Sequence, residues 1–188
     1  MRAAAARPLP RSRGRDLAVR AWQALRSDAD RDADRAWARA LLRPSEYAIW
    51  IRQTAYDRRH SVRVARRVEE RLAETPYAGE ARWLAAALMH DVGKAEAGLS
   101  PLSRAAAAFV NRIVDLETAR RWARSRAGRL RRIGLYLIHG EVGARLIRDA
   151  GGREEVAAWS EAHQEERIER VPGFPPAVVA ALTGSDVA

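Results

Sequence analysis

The sequence predicts an all-α fold, a single-domain helical bundle. Apolar residues recur at helical spacing through most of the chain, and no segment sustains the alternation of a strand. Gly, Pro and Ser-Pro signals fall between the periodic stretches, where helix boundaries belong. With 188 residues the chain is long enough to bury one core of ordinary size.

The elements follow in order. Residues 16–44 read as an N-terminal helical segment, loosely periodic in Leu17, Trp22, Leu25, Ala33, Trp37 and Leu41. Asp28, Asp30, Asp32 and Asp34 mark a break within it. Pro44-Ser45-Glu46 restarts a helix, with Tyr47, Trp50, Ile51 and Thr54 on one face. His60 to Ala73 carries Val64, Val68 and Leu72 on its inward face and ends at Thr75-Pro76. Glu80 to Met89 is apolar on most sides, which predicts the central buried helix. A loop at Gly98–Pro101 leads into Leu102–Val114. Ile133–Ala150 reads as one amphipathic helix closed by Gly151-Gly152. Glu154–Glu166 makes another, and Pro175-Pro176 opens a last one. The six Trp residues are expected in helix contacts.

Composition excludes several function classes. There is no cysteine, so disulfide scaffolds, thiolate zinc sites, iron–sulfur clusters and cysteine nucleophiles are out. No run of 18 apolar residues occurs, and the N-terminus lacks the apolar core of a secretory signal, so the expected location is cytoplasmic. The formal charge is +10, yet 33 of the 34 basic residues are arginine and Lys94 is the only lysine. Such a bias fits a GC-rich genome, so arginine alone does not signal nucleic acid. The charge is also local. Residues 1–15 hold five arginines and no acid and read as a disordered arm. Residues 104–132 hold nine arginines against Asp115 and Glu117, an excess of +7 that could face phosphates, nucleic acid or an anionic membrane.

The scarce residues carry the chemistry. All four histidines, His60, His90, His139 and His163, fall in or at the ends of the expected core helices. His90 and Asp91 are adjacent, about 100° apart on a helix, and could converge only where the backbone turns. Gly93 is read as supplying that freedom. Gly143, four residues after His139, would let another helix approach closely. Imidazole and carboxylate are the ligands left when thiolate is absent, and they suit Fe, Mn, Zn or Ni. A metal pair can polarise a phosphoryl oxygen and generate hydroxide from water at neutral pH.

His60-Ser61-x-x-Val64-Ala65, His90-Asp91-x-Gly93-Lys94, His139-Gly-x-x-Gly143, the later His163 and the C-terminal Asp186 resemble the HD superfamily of metal-dependent phosphohydrolases. The resemblance covers about residues 45–188. It implies an HD-type domain over that span with the basic segment 104–132 as an insert, an all-helical core, and one or two divalent ions (Fe, Mn, Zn, Ni or Mg) at its centre. By resemblance His60, His90, Asp91 and Asp186 form the basic metal set, with Asp149 the competitor for the last place. His139 and His163 are the added ligands of the two-metal branch, in which Asp91 bridges. Asp91 and Lys94 are the candidate catalytic residues. Lys94, with Arg120, Arg121 and Arg124, is the candidate contact for substrate phosphate.

The chain departs from the cyclic-di-GMP branch called HD-GYP, reading His163-Gln164-Glu165 in place of His-His-Glu, with Val171-Pro172-Gly173-Phe174-Pro175 a faint echo of its signature. It is similar to the diadenosine-tetraphosphatase-like branch at His139–Ala144, but His90 and His139 stand 49 residues apart, a longer interval. The chain also resembles small bacterial HD proteins. The expected function is a phosphohydrolase acting on a nucleotide or other small phosphoester. The alternative is a regulatory or binding module whose basic surface docks RNA, membrane or a protein partner.

Overall fold

The computed structural model describes residues 32–110, 113–164, 168 and 170–186. The expected arm at 1–15 and most of the 16–44 segment lie outside them. Every described element is a helix: α1 Asp32–Leu41, α2 Pro44–Trp50, α3 Ala55–Leu72, α4 Ala81–Met89, α5 Lys94–Ala97, α6 Pro101–Val110, α7 Leu116–Ala123, α8 Gly128–Leu137, α9 His139–Asp149, α10 Glu154–Ala162 and α11 Pro176–Asp186. No strand occurs among the described residues, as the all-α reading expects.

α4 is central because its sequence leaves it no polar face. Trp83 through Met89 are all buried, and α4 packs against α3 and α10 while α1 also touches it. α3 presents Val64, Val68 and Leu72 inward, and α11 lies along it. Each fully buried aliphatic side chain of this kind contributes about 1.5–3 kcal/mol. Of the tryptophans, Trp50, Trp83 and Trp159 are buried in this core, and Trp37 and Trp122 are half-buried. A second, smaller core joins Ala97, Ala119, Leu135, Leu137, Ile138 and Val142, so the stretch between α5 and α9 folds around its own apolar centre.

One buried charge ties together two helices that are remote in the chain. Glu46, fully buried on α2, accepts from the Arg43 and Arg153 backbone N–H groups at 2.8 and 2.9 Å and from the Arg153 guanidinium at 2.5 Å. Arg153 is the N-cap of α10, so this pair fixes α2 against α10.

Some helix boundaries differ from the sequence expectation, each for a local reason. Thr54 is not a fourth face residue of α2. Its hydroxyl accepts from Asp57 N–H and caps α3, which therefore begins before His60. The expected helix at 133–150 is two helices, broken at Ile138 (φ −109°, ψ 30°). α10 stops at Ala162 with His163 as its C-cap.

Candidate metal centre

The histidines are delivered by helix ends. His90 is the C-cap of α4, His163 is the C-cap of α10, and His139 follows the break at Ile138. A helix terminus leaves carbonyls without an intrahelical partner. Each of these imidazoles takes up one of them, three residues back. Nδ1 lies 2.8 Å from Ala87 O for His90, 2.8 Å from Tyr136 O for His139 and 2.7 Å from Ser160 O for His163. In a neutral ring whose Nδ1 proton goes to that carbonyl, Nε2 is left as a lone pair aimed inward, the arrangement that metal-ligating histidines use. His60 comes instead from the middle of α3, and Asp186 is the last residue of α11.

These side chains form two triads. In the first, His60 Nε2 and His90 Nε2 lie 3.2 and 3.3 Å from Asp186 Oδ1. In the second, Asp91 Oδ1 lies 3.1 Å from His139 Nε2 and 3.5 Å from His163 Nε2, and the two ring nitrogens are 3.3 Å apart. Within each triad the ligand atoms fall within 4.8 Å of one another. The other oxygen of Asp91, Oδ2, faces the first triad, 3.4 Å from His90 Nε2 and 3.9 Å from His60 Nε2. Asp91 thus spans both.

The donor set fits a cation. Two imidazole nitrogens and a carboxylate oxygen converge in the second triad, and lone pairs brought to such distances repel unless a positive charge lies between them. In the first triad His90 Nε2 is buried and makes no hydrogen bond with either neighbouring carboxylate. The carbonyl ends of α4, α10 and α11 also point their negative poles at this region.

Electrostatics separate the two buried rings. Burial lowers the pKa of His90, but Asp91 and Asp186 outweigh it and raise it to about 10. For His139 burial dominates, Lys94 and His163 add to it, and the pKa falls to about 4. Burial opposes the charge on Asp91, yet His90 and Lys94 hold its carboxyl well below the usual carboxylate range. Asp186 is also lowered: burial opposes its charge, and His60 and His90 overcome it. Lys94 Nζ stands 2.6 Å from Asp91 Oδ2, so its ammonium neighbours the shared carboxylate directly.

The residues singled out from the sequence divide as follows. His60, His90, Asp91, His139, His163 and Asp186 come together, with Lys94 beside them. Asp149 is exposed at the end of α9. The recorded partners of Arg120 and Arg121 are Glu141 and Thr118, and Arg124 is exposed at the end of α7. Gly93 corrects the sequence reading. Its backbone is ordinary right-handed helix (φ −64°, ψ −21°), so freedom is not its use. A Cβ there would stand 2.0 Å from His139 O and 2.7 Å from Gly143 N, so glycine is needed for close approach of α5 to α9. Gly143 does what was expected of it: a Cβ would meet Ser160 Oγ at 2.5 Å.

Other positioning residues escaped the sequence reading. Arg71 donates to Gly184 O at 3.1 Å and Arg67 to Ser185 O at 3.3 Å, pinning the last turn of α11 and hence Asp186. The signal was present, since Arg67 and Arg71 follow His60 by seven and eleven residues and share its face. Gln164, which replaces the second histidine of the His-His-Glu string, accepts from Gly140 N–H at 2.5 Å and donates to Leu137 O at 3.1 Å. It locks the corner that carries His139. Ser160 donates toward His90 O at 3.2 Å, joining the ends of α4 and α10.

A family model for the HD domain matches residues 58–182, a span that runs from α3 into α11 and holds every residue of the two triads except Asp186. Neither the curated proteins nor the solved structures include a match to the chain.

Proposed function

Because the chain belongs to the HD domain family, whose members are in general metal-dependent phosphohydrolases, we propose that it hydrolyses a nucleotide or another small phosphoester. The observation that carries this reading is the pair of triads joined by Asp91. His60, His90 and Asp186 would hold one divalent ion, and Asp91, His139 and His163 a second. Bound there, such ions supply Lewis-acid polarisation of a phosphoryl oxygen and lower the pKa of a water molecule. The chain's own residues do the rest. The i−3 carbonyls hold each imidazole in one tautomer, and the Arg67 and Arg71 bonds keep Asp186 in place. Lys94, partly exposed beside Asp91, offers a point charge to a phosphoryl oxygen. The imidazole-rich donor set suits Mn, Fe, Zn or Ni better than Mg.

The test is elemental analysis of the purified protein together with hydrolysis of bis(p-nitrophenyl) phosphate and a panel of nucleotides. Bound transition metal and metal-dependent turnover are expected, both lost in His90→Ala/Asp91→Ala with helicity retained. Undiminished hydrolysis after the metal is stripped would refute the proposal.

A further inference from the structure

Large apolar side chains are exposed at few places among the described residues: Tyr56, Phe109, Ile113 and Leu116. Three of these fall within eight positions at the α6–α7 corner. They are not marginal, with Phe109 67 % and Ile113 73 % exposed. The same part of the chain is the one with a +7 excess of arginine. Arg104 is removed from that excess by a bidentate pair with Asp57 at 2.7 Å, and Arg120 by Glu141. Arg121, Arg124, Arg126, Arg129 and Arg131 remain exposed. On α7 the inward face is set by Ala119 and Trp122 in the second core. Arg121 and Arg124 lie on the outward side, away from Ala119, Trp122 and Ala123, while Leu116 is left exposed as the first residue of the helix, at the edge of the inward face.

We propose that this corner docks the protein on an anionic lipid bilayer, with Phe109, Ile113 and Leu116 entering the interface and the arginines meeting the headgroups. The combination selects this occupant. Aliphatic Ile113 and Leu116 offer nothing to a nucleic-acid backbone, whereas an amphipathic surface of bulky apolar residues rimmed by arginine matches an interface of headgroups and acyl chains. A second copy would bring the same positive charge, and so would the chain's own first 15 residues, with five arginines and no acid. Each arginine near an anionic surface contributes about fivefold in affinity. The inference does not depend on the reaction proposed above.

The experiment is co-sedimentation of the full chain with phosphatidylcholine vesicles, with and without phosphatidylglycerol. Binding to the anionic vesicles alone, weakening as salt rises, is expected. Phe109→Ser/Ile113→Ser/Leu116→Ser should abolish it at physiological salt while leaving the circular dichroism spectrum and hydrolysis of a soluble phosphoester unchanged. Arg121→Ala/Arg124→Ala should weaken binding by about 25-fold, the product of two fivefold steps. Equal binding to neutral and anionic vesicles, or none to either, would overturn the proposal. So would binding of RNA, in place of vesicles, that the triple Ser variant leaves intact.

Discussion

Glu46 shows how one buried charge is made tolerable and what that implies for acid stability. Burial on its own would raise its pKa, but the Arg153 guanidinium, the Arg153 N–H and the Arg43 N–H outweigh burial and hold it below 4.5. A depressed carboxylate contributes stability that is present above its unfolded pKa and lost as pH falls through the folded value. Glu46→Gln leaves the Arg153 charge without its counterion, so it should cost about 3 kcal/mol near neutral pH in denaturant melts. The difference from wild type should begin to shrink as pH falls below 4.5, where the unfolded carboxyl takes up its proton, and vanish only once pH is below the lowered pKa of the folded Glu46. A gap that stays constant from pH 7 to acid would contradict this account. At the same scale, the six candidate ligands were legible through the motifs whose residue types and order resemble the HD superfamily. Arg67 and Arg71 could have been found from the face they share with His60, but Gln164 was not legible, because a long polar side chain looks the same in a sequence whether it is solvated or bonded to a helix end.

At the scale of elements, the site depends on where helices stop. The 133–150 stretch has the apolar period of one helix, and its break at Ile138 is seen only in the fold, where α5 packs across it and Gln164 bonds to Gly140 and Leu137 on either side. That break frees Tyr136 O for the His139 ring. Gly93→Ala tests this directly, because the added Cβ would strike backbone, which cannot swing aside. It should destabilise the fold by about 3 kcal/mol, the upper end of overpacking. It should also loosen metal at Asp91, His139 and His163 more than at His60, His90 and Asp186, as read by stepwise metal titration. Retention of full stability would show that α5 and α9 can separate freely. The amphipathic face of α3 and the nearly all-apolar α4 were legible because burial selects residues by period and composition; the crossing distances were not, since they depend on partners far along the chain.

For the whole molecule, the two triads draw on every major layer. His60 and Asp186 are 126 positions apart in sequence yet 3.2 Å apart in space. His139 leans on the second core and His163 on the first. A ligand that binds only the assembled site stabilises the fold by about 2.7 kcal/mol at a concentration 100 times its Kd. Stripping the bound metal with a chelator should therefore lower Tm by roughly 5–10 °C in calorimetry. An unchanged Tm in protein shown to have lost metal would mean that the triads are already rigid without it, or bind elsewhere.

The sequence by itself determined the helical class, the central place of the Ala- and Leu-rich α4, and the His and Asp residue types able to hold metal when cysteine is absent. These are local properties, set by periodicity and composition. The tertiary structure decided how closely the two triads approach on either side of Asp91, that Asp149 stands apart from them at an exposed helix end, and that Gly93 serves close packing and not flexibility. Each of these is a distance between residues remote in the chain, fixed by how helices cross, and no local pattern encodes it.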